Sequence, residues 1–272
     1  MIPPTSIDGT DITGATIDGT DVQEITVDGD VVFGSAAPSN LPVAYSNLVA
    51  WYPFDSAEYG GSNADDVTAL FNPSQSGDST AYDGTVESAS YQSSGGVTDI
   101  NAGANSGGFD FSGNEGIETS GTQIGSSVGT FSYGGWIFPT TTTQVQSTAL
   151  SFGDEGSPPR TFIQYRGDDQ DISLYAQWGS ISKIDIRING PANNWYHTMF
   201  VKDGSNARLY VDGAFDDTYS ITAGGVTGGD SLYIGRSEDS DHHFDGRIDD
   251  VRVYDKALST SEVSQIYNNT KP

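Results

Sequence analysis

Cysteine is absent from the 272 residues, and basic residues are scarce, since 11 Lys and Arg stand against 37 Asp and Glu. Without cysteine the chain can form no disulfide and no thiolate metal site. With so few basic residues, the clustered phosphate contacts that bind nucleic acid are not expected. No apolar run approaches the roughly 18 residues of a membrane-spanning helix, so membrane insertion is not expected either.

The usual signatures of catalysis are also missing. The chain contains no G-x-S-x-G, no H-E-x-x-H and no E-x-D-x-x-E, the last of which places carboxylates along one strand in some glycan hydrolases. Carboxylates lie near each other by chance in so acidic a chain, so no pair stands out as an acid and a base. These absences predict that the protein is not an enzyme. The opening MIPPTSIDGT has neither a basic region nor an apolar core, so no secretory signal peptide is expected there.

The formal net charge of −26 is the most unusual feature of the composition. An ordinary acidic surface is one explanation. The other is adaptation to molar salt, because so large an excess of one sign destabilises a compact state by self-repulsion at low salt. Salt at 1 M shortens the screening length to about 3 Å. The charge therefore favours a halophilic source.

Three ten-residue units follow one another over residues 6–35. Each contains one Asp-Gly pair, at 8–9, 18–19 and 28–29. Asp-Gly between β-branched residues predicts a tight hairpin turn, which needs positive φ angles. We therefore expect a short β-meander over 1–35 and a linker over 36–44. So small a meander is marginal by itself, which predicts an anchor or an oligomerisation segment, with the protein a homotrimer.

From Tyr45 onward, short β-patterned runs alternate with turns rich in Gly, Ser and Asp. In 183–188, Ile alternates strictly with Lys, Asp and Arg, which is the pattern of a half-buried strand. About ten such runs without intervening helices predict an antiparallel sandwich over 45–272. The polar, Gly- and Ser-rich stretches 56–84 and 88–108 are expected to be surface loops.

One helix is predicted after the last strand. Ser259 and Glu262 form a capping-box pattern, and an apolar stripe follows at Val263, Ile266 and Tyr267. The expected fold class is therefore all-β: an antiparallel jelly-roll sandwich, preceded by a short N-terminal β-meander and followed by one short C-terminal helix.

Five segments carry a family resemblance, in the same order along the chain. They are LVAWYPFDS, YDGTVESASY, TFSYGGWIFPT, NNWYHTMFVKDGSNARLYVDGAFDDT and SLYIGRSEDSDHHFDGRIDDVRVYDKALSTSEVSQIY. Together they resemble the laminin-G-like family of concanavalin A-like domains. The resemblance covers roughly 45–268, and it implies a jelly roll that binds carbohydrates or proteins more often than it catalyses. It also implies core positions for Trp51, Trp136 and Trp195 and a structural role for His197.

The N-terminal string TDVQEITVDGDVVFG is similar to strings at the ends of tailed-virus tail and baseplate proteins. Together with the acidity and the expected lack of a signal peptide, this resemblance implies a virion protein of a halophilic archaeal virus. It would be located on the virion, outside the cell at high salt, with residues 1–35 contacting other virion proteins.

Calcium is the cofactor that the family resemblance implies, in a structural site between the first and the last strand of the sandwich. The matching residues are Asp55, Asp249 and Asp250, with the loop residue Asp83 as a further candidate. Carboxylate and carbonyl oxygens are the ligands that this ion prefers. In the alternative, the two adjacent carboxylates flank a strand and pair with Arg247 or Arg252.

Aromatic side chains are the candidates for stacking on a sugar. Tyr165, Tyr175 and Trp178 lie on neighbouring strands or loops and are predicted to bind the ligand. Burial in the core is the alternative, since it explains most aromatics in such a fold. The adjacent His242 and His243 in a turn are expected to be solvated and not to bind a metal.

Three functions follow as hypotheses. The first is a non-enzymatic, virion-associated binding module, such as a tail fibre, baseplate or spike adhesin, that recognises a host surface glycan or glycoprotein. The second is a purely structural virion protein, such as a capsid decoration or turret subunit. The third is a lectin-like domain from the cell surface of a halophile.

Overall fold

A computed structural model of the chain describes two compact units, Met1–Leu41 and Pro42–Pro272, which are treated one at a time. The described residues are 6–7, 10–11, 16–17, 20–21, 24–27, 30–34, 43–54, 63–64, 84–92, 96, 107–113, 115–119, 129–144, 146–153, 159–178, 182–220, 231–238 and 242–272.

Antiparallel hairpins make up the described part of the first unit. The strands are β1 (Ser6–Ile7), β2 (Thr10–Asp11), β3 (Thr16–Ile17), β4 (Thr20–Asp21), β5 (Glu24–Val27) and β6 (Asp30–Gly34). Each consecutive pair flanks one Asp-Gly dipeptide, as the repeats predicted. Among the described residues, however, each pair is a two-stranded sheet of its own and not part of one meander. The Asp-Gly turns themselves, and the predicted linker 36–44 except for its last two residues, lie outside the described residues.

The second unit is built from strands that are mostly antiparallel neighbours, with one helix at the end. In chain order they are β7 (Leu48–Tyr52), β8 (Asn63–Ala64), β9 (Gly84–Glu87), β10 (Ser90–Gln92), β11 (Gly108–Ser112), β12 (Gly116–Thr119), β13 (Thr130–Pro139), β14 (Ser147–Phe152), β15 (Arg160–Arg166), β16 (Asp171–Trp178), β17 (Ser182–Asn189), β18 (Tyr196–Asp203), β19 (Asn206–Val211), β20 (Ala214–Ser220), β21 (Leu232–Ile234), β22 (Asp245–Tyr254) and the helix α1 (Thr260–Thr270).

These strands form two sheets. The first sheet has the order β10-β11-β22-β13-β18-β19-β20, and β7 pairs with the end of β22. The second sheet has the order β17-β16-β15-β14-β21-β12-β9-β8. The non-consecutive neighbours and the antiparallel pairing are those of a jelly-roll sandwich, and the predicted fold class is confirmed.

The core between the sheets is strongly aromatic. Tyr133 of the first sheet and Phe152 of the second pack edge to face with ring centroids 5.0 Å apart. The Tyr133 hydroxyl also hydrogen-bonds Thr161 of the opposite sheet. Alternation along each strand sends every second side chain into this layer, for example Ile163 and Leu174.

A β-bulge in β22 changes which side chains face that core. Gly134 pairs with Arg252 but Trp136 pairs with Asp249, so β22 has one extra residue at this point. Asp250 is the extra residue, and its φ angle is +49°. As in other bulges, the side chains are re-aimed: Ile248 and Val251 face the inter-sheet core.

Helix α1 covers part of the outer face of the first sheet and closes a second apolar cluster. Val263 and Ile266 pack there with the buried Trp51. The capping box at Ser259 is present as predicted. Trp136 is buried and its Nε1 donates to the Thr270 hydroxyl at 2.8 Å. Trp195 differs from the expected core position, because it is only half-buried at the start of β18.

The two stretches expected to be loops contain short strands. The pairing of β8 with β9 and of β10 with β11 places them at or near sheet edges. A strand at such a position exposes polar side chains, as β10 does at Ser90, so its composition resembles that of a loop. In the described part of the chain, no helix has both the length and the apolar character needed to cross a bilayer.

Candidate functional site

The predicted calcium ligands Asp249 and Asp250 lie in the bulge of β22 and are buried. Asp250 Oδ1 accepts hydrogen bonds from Arg252 Nε at 2.9 Å and from Trp51 Nε1 at 2.7 Å. The Arg252 guanidinium also lies over the Trp51 ring, 4.8 Å from its centroid. The pairing of Asp250 with Arg252, which the sequence left open as an alternative, is therefore present. An arginine so close offsets the charge that would attract a cation.

The other two predicted calcium ligands, Asp55 and Asp83, lie outside the described residues. Asp249 Oδ1 accepts from the backbone N–H of Asp250 at 2.8 Å. Within the described ranges, no group of three or more Asp, Glu or His could hold a metal ion. The calcium site stays a prediction.

The three aromatic candidates do not share one surface. Tyr165 is fully buried in the inter-sheet core, and burial, followed by the influence of Tyr196 and Asp171, raises its pKa to about 12. Tyr165 and Ile163 lie two residues apart on β15, so both side chains point to the same, inner face of the sheet. The Tyr165 ring is therefore inaccessible to a sugar. Trp178 pairs with Ser182 at the end of β16, and its side chain is outside the described structure.

Tyr175 lies on the outer face of the second sheet and is partly exposed. It belongs to a register row that crosses seven strands. The row runs Thr85, Glu118, Tyr233, Ser151, Phe162, Tyr175, Asp185. Phe162 and Tyr175 are stacked with centroids 5.7 Å apart. We call this row with the arginines above it the aromatic row of the second sheet.

An arginine covers each aromatic part of this row. Arg160 lies 5.4 Å from the Tyr175 centroid, and Arg236 lies 5.0 Å from that of Tyr233. Arg236 is also ion-paired with Glu87 at 3.2 Å and with Glu118 at 3.3 Å. Two of the chain's few basic side chains thus lie over aromatic rings of this row.

A pocket of about 400 Å³ opens on the outer face of the first sheet, beside the part covered by the helix. Among the residues that line it are Ser90, Gln92, Asp110, Glu115, Phe138 and Arg247. Four of these form one register row across neighbouring strands, since Ser90 pairs with Asp110, Asp110 with Arg247, and Arg247 with Phe138.

Polar groups in this pocket, which we call the first-sheet pocket, are held in place by one another. Arg247 Nε donates to Asp110 Oδ1 at 2.6 Å. Glu115 Oε1 accepts from the Ser112 hydroxyl at 2.7 Å. Phe138, which forms the apolar wall, packs against Trp195 at 5.4 Å. The pocket can therefore offer donors, acceptors and a ring face to one small ligand.

None of the residues lining the first-sheet pocket was predicted to bind. The alternation in GFDFS does indicate that Asp110 lies opposite to the core-facing Phe109 and Phe111. What it cannot indicate is that Arg247, from the other end of the chain, lies beside Asp110.

The histidines differ in their surroundings. His197 is buried against Trp136, with ring centroids 5.4 Å apart. Burial, followed by the charge of Arg252, lowers its pKa to about 3. It therefore stays neutral in the fold, as a structural residue would. His242 and His243 are partly exposed, and His243 Nδ1 lies 3.1 Å from the Glu115 carbonyl oxygen.

Comparison with known proteins agrees with this architecture. A family model described as the concanavalin A-like lectin/glucanases superfamily, of the third laminin G type, matches residues 111–264, more than half of the chain. No curated protein sequence is similar enough to count as a match.

Among solved structures, domain 4 of AbnA, a GH43 extracellular arabinanase from Geobacillus stearothermophilus in complex with arabinotriose, is 24% identical with a TM-score of 0.55. The similarity covers 81% of this chain and 98% of that domain. The binding domain of botulinum neurotoxin serotype G is 18% identical over 81% of this chain and 50% of its own, with a TM-score of 0.52. A mutant Trypanosoma rangeli sialidase displaying trans-sialidase activity is 15% identical over 86% of this chain and 34% of its own, with a TM-score of 0.54. At these identities the likeness concerns the fold.

Proposed function

The chain belongs to the concanavalin A-like lectin/glucanases superfamily, and we propose that it is a non-enzymatic module that binds a carbohydrate in the first-sheet pocket. The observation that carries the proposal is the combination, in one concave site, of paired polar side chains and the ring of Phe138. A sugar presents the same combination, since hydroxyl groups surround a ring that has an apolar face.

The size of the pocket supports a small saccharide. Its volume of about 400 Å³ is at the lower end of the roughly 300–1,000 Å³ typical of ligand sites. Most of its lining residues are polar, which suits a ligand rich in hydroxyl groups. Gln92 and Ser90 supply neutral donors and acceptors, and the Asp110–Arg247 pair supplies charged ones.

Binding without catalysis is favoured by the state of the carboxylates. Asp110 is engaged by Arg247, and Glu115 is engaged by the hydroxyl and backbone N–H of Ser112. A glycosidase needs one carboxyl that keeps a proton and a second that attacks or activates water. Carboxylates held as hydrogen-bond acceptors are suited to positioning sugar hydroxyls instead.

The biological setting that we propose is host attachment on a virion. The hairpins of the first unit would anchor the protein to the particle and hold copies together as a trimer. Several weak sugar sites on one assembly would supply avidity that one site lacks. Light scattering of the full chain and of a version that starts near Leu41 tests this part. Equal monomeric masses for the two would contradict it.

Calorimetric titration with neutral arabino- and hexo-oligosaccharides tests the pocket. We expect Asp110→Asn and Gln92→Ala each to weaken binding about tenfold, which corresponds to about 1.4 kcal/mol. Asp203→Asn is the matched control, because Asp203 pairs with Arg208 at 3.5 Å on the same sheet but away from the pocket. The proposal fails if no neutral glycan binds, or if Asp203→Asn weakens binding as much as Asp110→Asn does. Either result would favour the hypothesis of a purely structural virion subunit.

A further inference from the structure

Arginine is scarce in this chain, and nearly every arginine is used in an ion pair. In the described structure, those paired with Asp or Glu are Arg166, Arg187, Arg208, Arg236, Arg247 and Arg252. Arg160 is the remaining one, and no described carboxylate pairs with it. In a chain of net charge −26, a guanidinium without a carboxylate partner is the exception.

Neutral groups hold Arg160 in place. Its Nε and Nη2 donate to Gln177 Oε1 at 3.2 and 3.0 Å, and Nη2 also lies 3.3 Å from the Tyr175 hydroxyl. The guanidinium lies over the rings of Phe162 and Tyr175, 5.8 and 5.4 Å from their centroids. Its orientation is therefore fixed, while none of the carboxylates that the structure describes neutralises its charge.

Arg160 itself belongs to the register row next to the aromatic row, and that neighbouring row contains a second basic residue. Arg160 pairs with Gln177, and Gln177 pairs with Lys183. The carboxylate at this end of the aromatic row belongs to Asp185, and it forms an ion pair with Arg187 at 3.2 Å. Two of the protein's 11 basic residues thus occupy positions on either side of Gln177 in one register row.

We propose that Arg160 is the anion-binding group of a second site, which takes a saccharide that carries a carboxylate, such as a uronic acid. The planar fork of a guanidinium matches the two oxygens of a carboxylate, and such bonds are about twice as strong as neutral ones. Tyr175, beside it and partly exposed, offers a ring to the sugar. Because this site and the first-sheet pocket lie on the outer faces of different sheets, the two act independently.

The fixed orientation of Arg160 matters for affinity. A free arginine side chain loses up to about 2 kcal/mol of conformational entropy when it is ordered. The bonds to Gln177 and the ring contacts with Phe162 and Tyr175 have already restricted it before the ligand arrives. Preorganisation of this kind raises affinity without adding contacts.

Titration of the full chain with trigalacturonate and with its fully methyl-esterified form tests the proposal, since the ester removes only the charges. We expect the acid to bind at least tenfold more tightly than the ester. Arg160→Gln should remove that difference, and Arg160→Lys, which keeps the charge but not the fork, should retain only part of it. Arg208→Gln is the control, because it removes an equal charge from β19 of the other sheet and should change nothing.

Equal binding of acid and ester, or binding of neither, would overturn the proposal. Equally tight binding of a Glu-rich peptide would overturn the assignment to a saccharide. The proposal concerns a second site on the module proposed above. The acid–ester difference and its loss in Arg160→Gln report on this site, whereas binding of neutral oligosaccharides reports on the first-sheet pocket, so failure of the one is distinguishable from failure of the other. Melting curves of each variant establish that it is folded, and Arg160→Lys keeps the test decisive if Arg160→Gln unfolds the protein.

Discussion

The buried ion pair beneath helix α1 should be the most sensitive single position in the fold. The Arg252 side chain is 1% exposed and that of Asp250 is 6% exposed, at a separation of 2.9 Å. Replacing Asp250 with Asn leaves the guanidinium buried without its counter-charge. Breaking a buried pair in this way typically costs about 3–5 kcal/mol.

The neighbouring contacts set the size of the effect. Burial by itself would lower the pKa of Arg252, but the Asp250 and Tyr254 oxygens outweigh it and raise that pKa. A guanidinium keeps its proton throughout the ordinary pH range, so the arginine stays charged when its partner is lost. For a domain of this size each kcal/mol shifts the melting temperature by about 2–4 °C, which gives roughly 6–20 °C for Asp250→Asn.

Thermal and urea unfolding of matched variants measures the effect. Asn is the right replacement because it tolerates the positive φ at this position. Asp203→Asn, which removes an exposed partner of Arg208, should cost no more than about 1 kcal/mol. Adding Arg252→Met to Asp250→Asn should recover much of the loss, since no unpaired charge is then buried. A loss below about 1 kcal/mol for Asp250→Asn would refute this reasoning.

Three further predictions concern protons, salt and metal. Because the pKa of His197 is about 3 in the fold against 6.5 ordinarily, only the unfolded chain takes up its proton as pH falls between these values. Stability should then decline by up to about 1.4 kcal/mol per pH unit, and His197→Gln should flatten that slope in urea unfolding curves. Circular dichroism should show a lower melting temperature at about 0.1 M salt than at 1 M, because the screening length grows from about 3 to about 10 Å; a melting temperature indifferent to salt would contradict the halophilic interpretation. Calcium should raise the melting temperature and a chelator should reverse this, with Asp55→Asn removing the response; no response in the parent protein would exclude the site.

Local patterns account for the parts of the fold that could be predicted. The alternation in 183–188 and the capping box at Ser259 and Glu262 act within a few residues, so sequence neighbours carry the whole signal. The short strands β8 and β10 lie inside the stretches that were predicted to be loops, because short strands at a sheet edge favour the same polar residues as loops. Strand pairing, and not composition, makes them strands.

The candidate sites depend on which strands become neighbours, and this is why they were harder to predict. Asp110 and Arg247 meet only because β11 pairs with β22 in one register. Tyr165 is a different case. Phe162, Gln164 and Arg166 alternate with Thr161, Ile163 and Tyr165, so the polar residues already indicated which face of β15 points outward. That argument places Tyr165 inside, where the structure has it.

High salt narrows the kinds of contact that either proposed site can use. At 1 M the screening length is about 3 Å, so attraction between separated charges contributes little and exposed ion pairs lose most of their effect. Recognition must then come from groups in direct contact with the ligand. The Arg160 guanidinium beside Tyr175, and the Asp110–Arg247 pair beside Phe138, both combine a charged group held at hydrogen-bonding distance with an aromatic ring. A ring contact is hydrophobic and is not screened by salt, so we expect sites built in this way to keep their affinity at 1 M salt, the condition that the halophilic interpretation predicts.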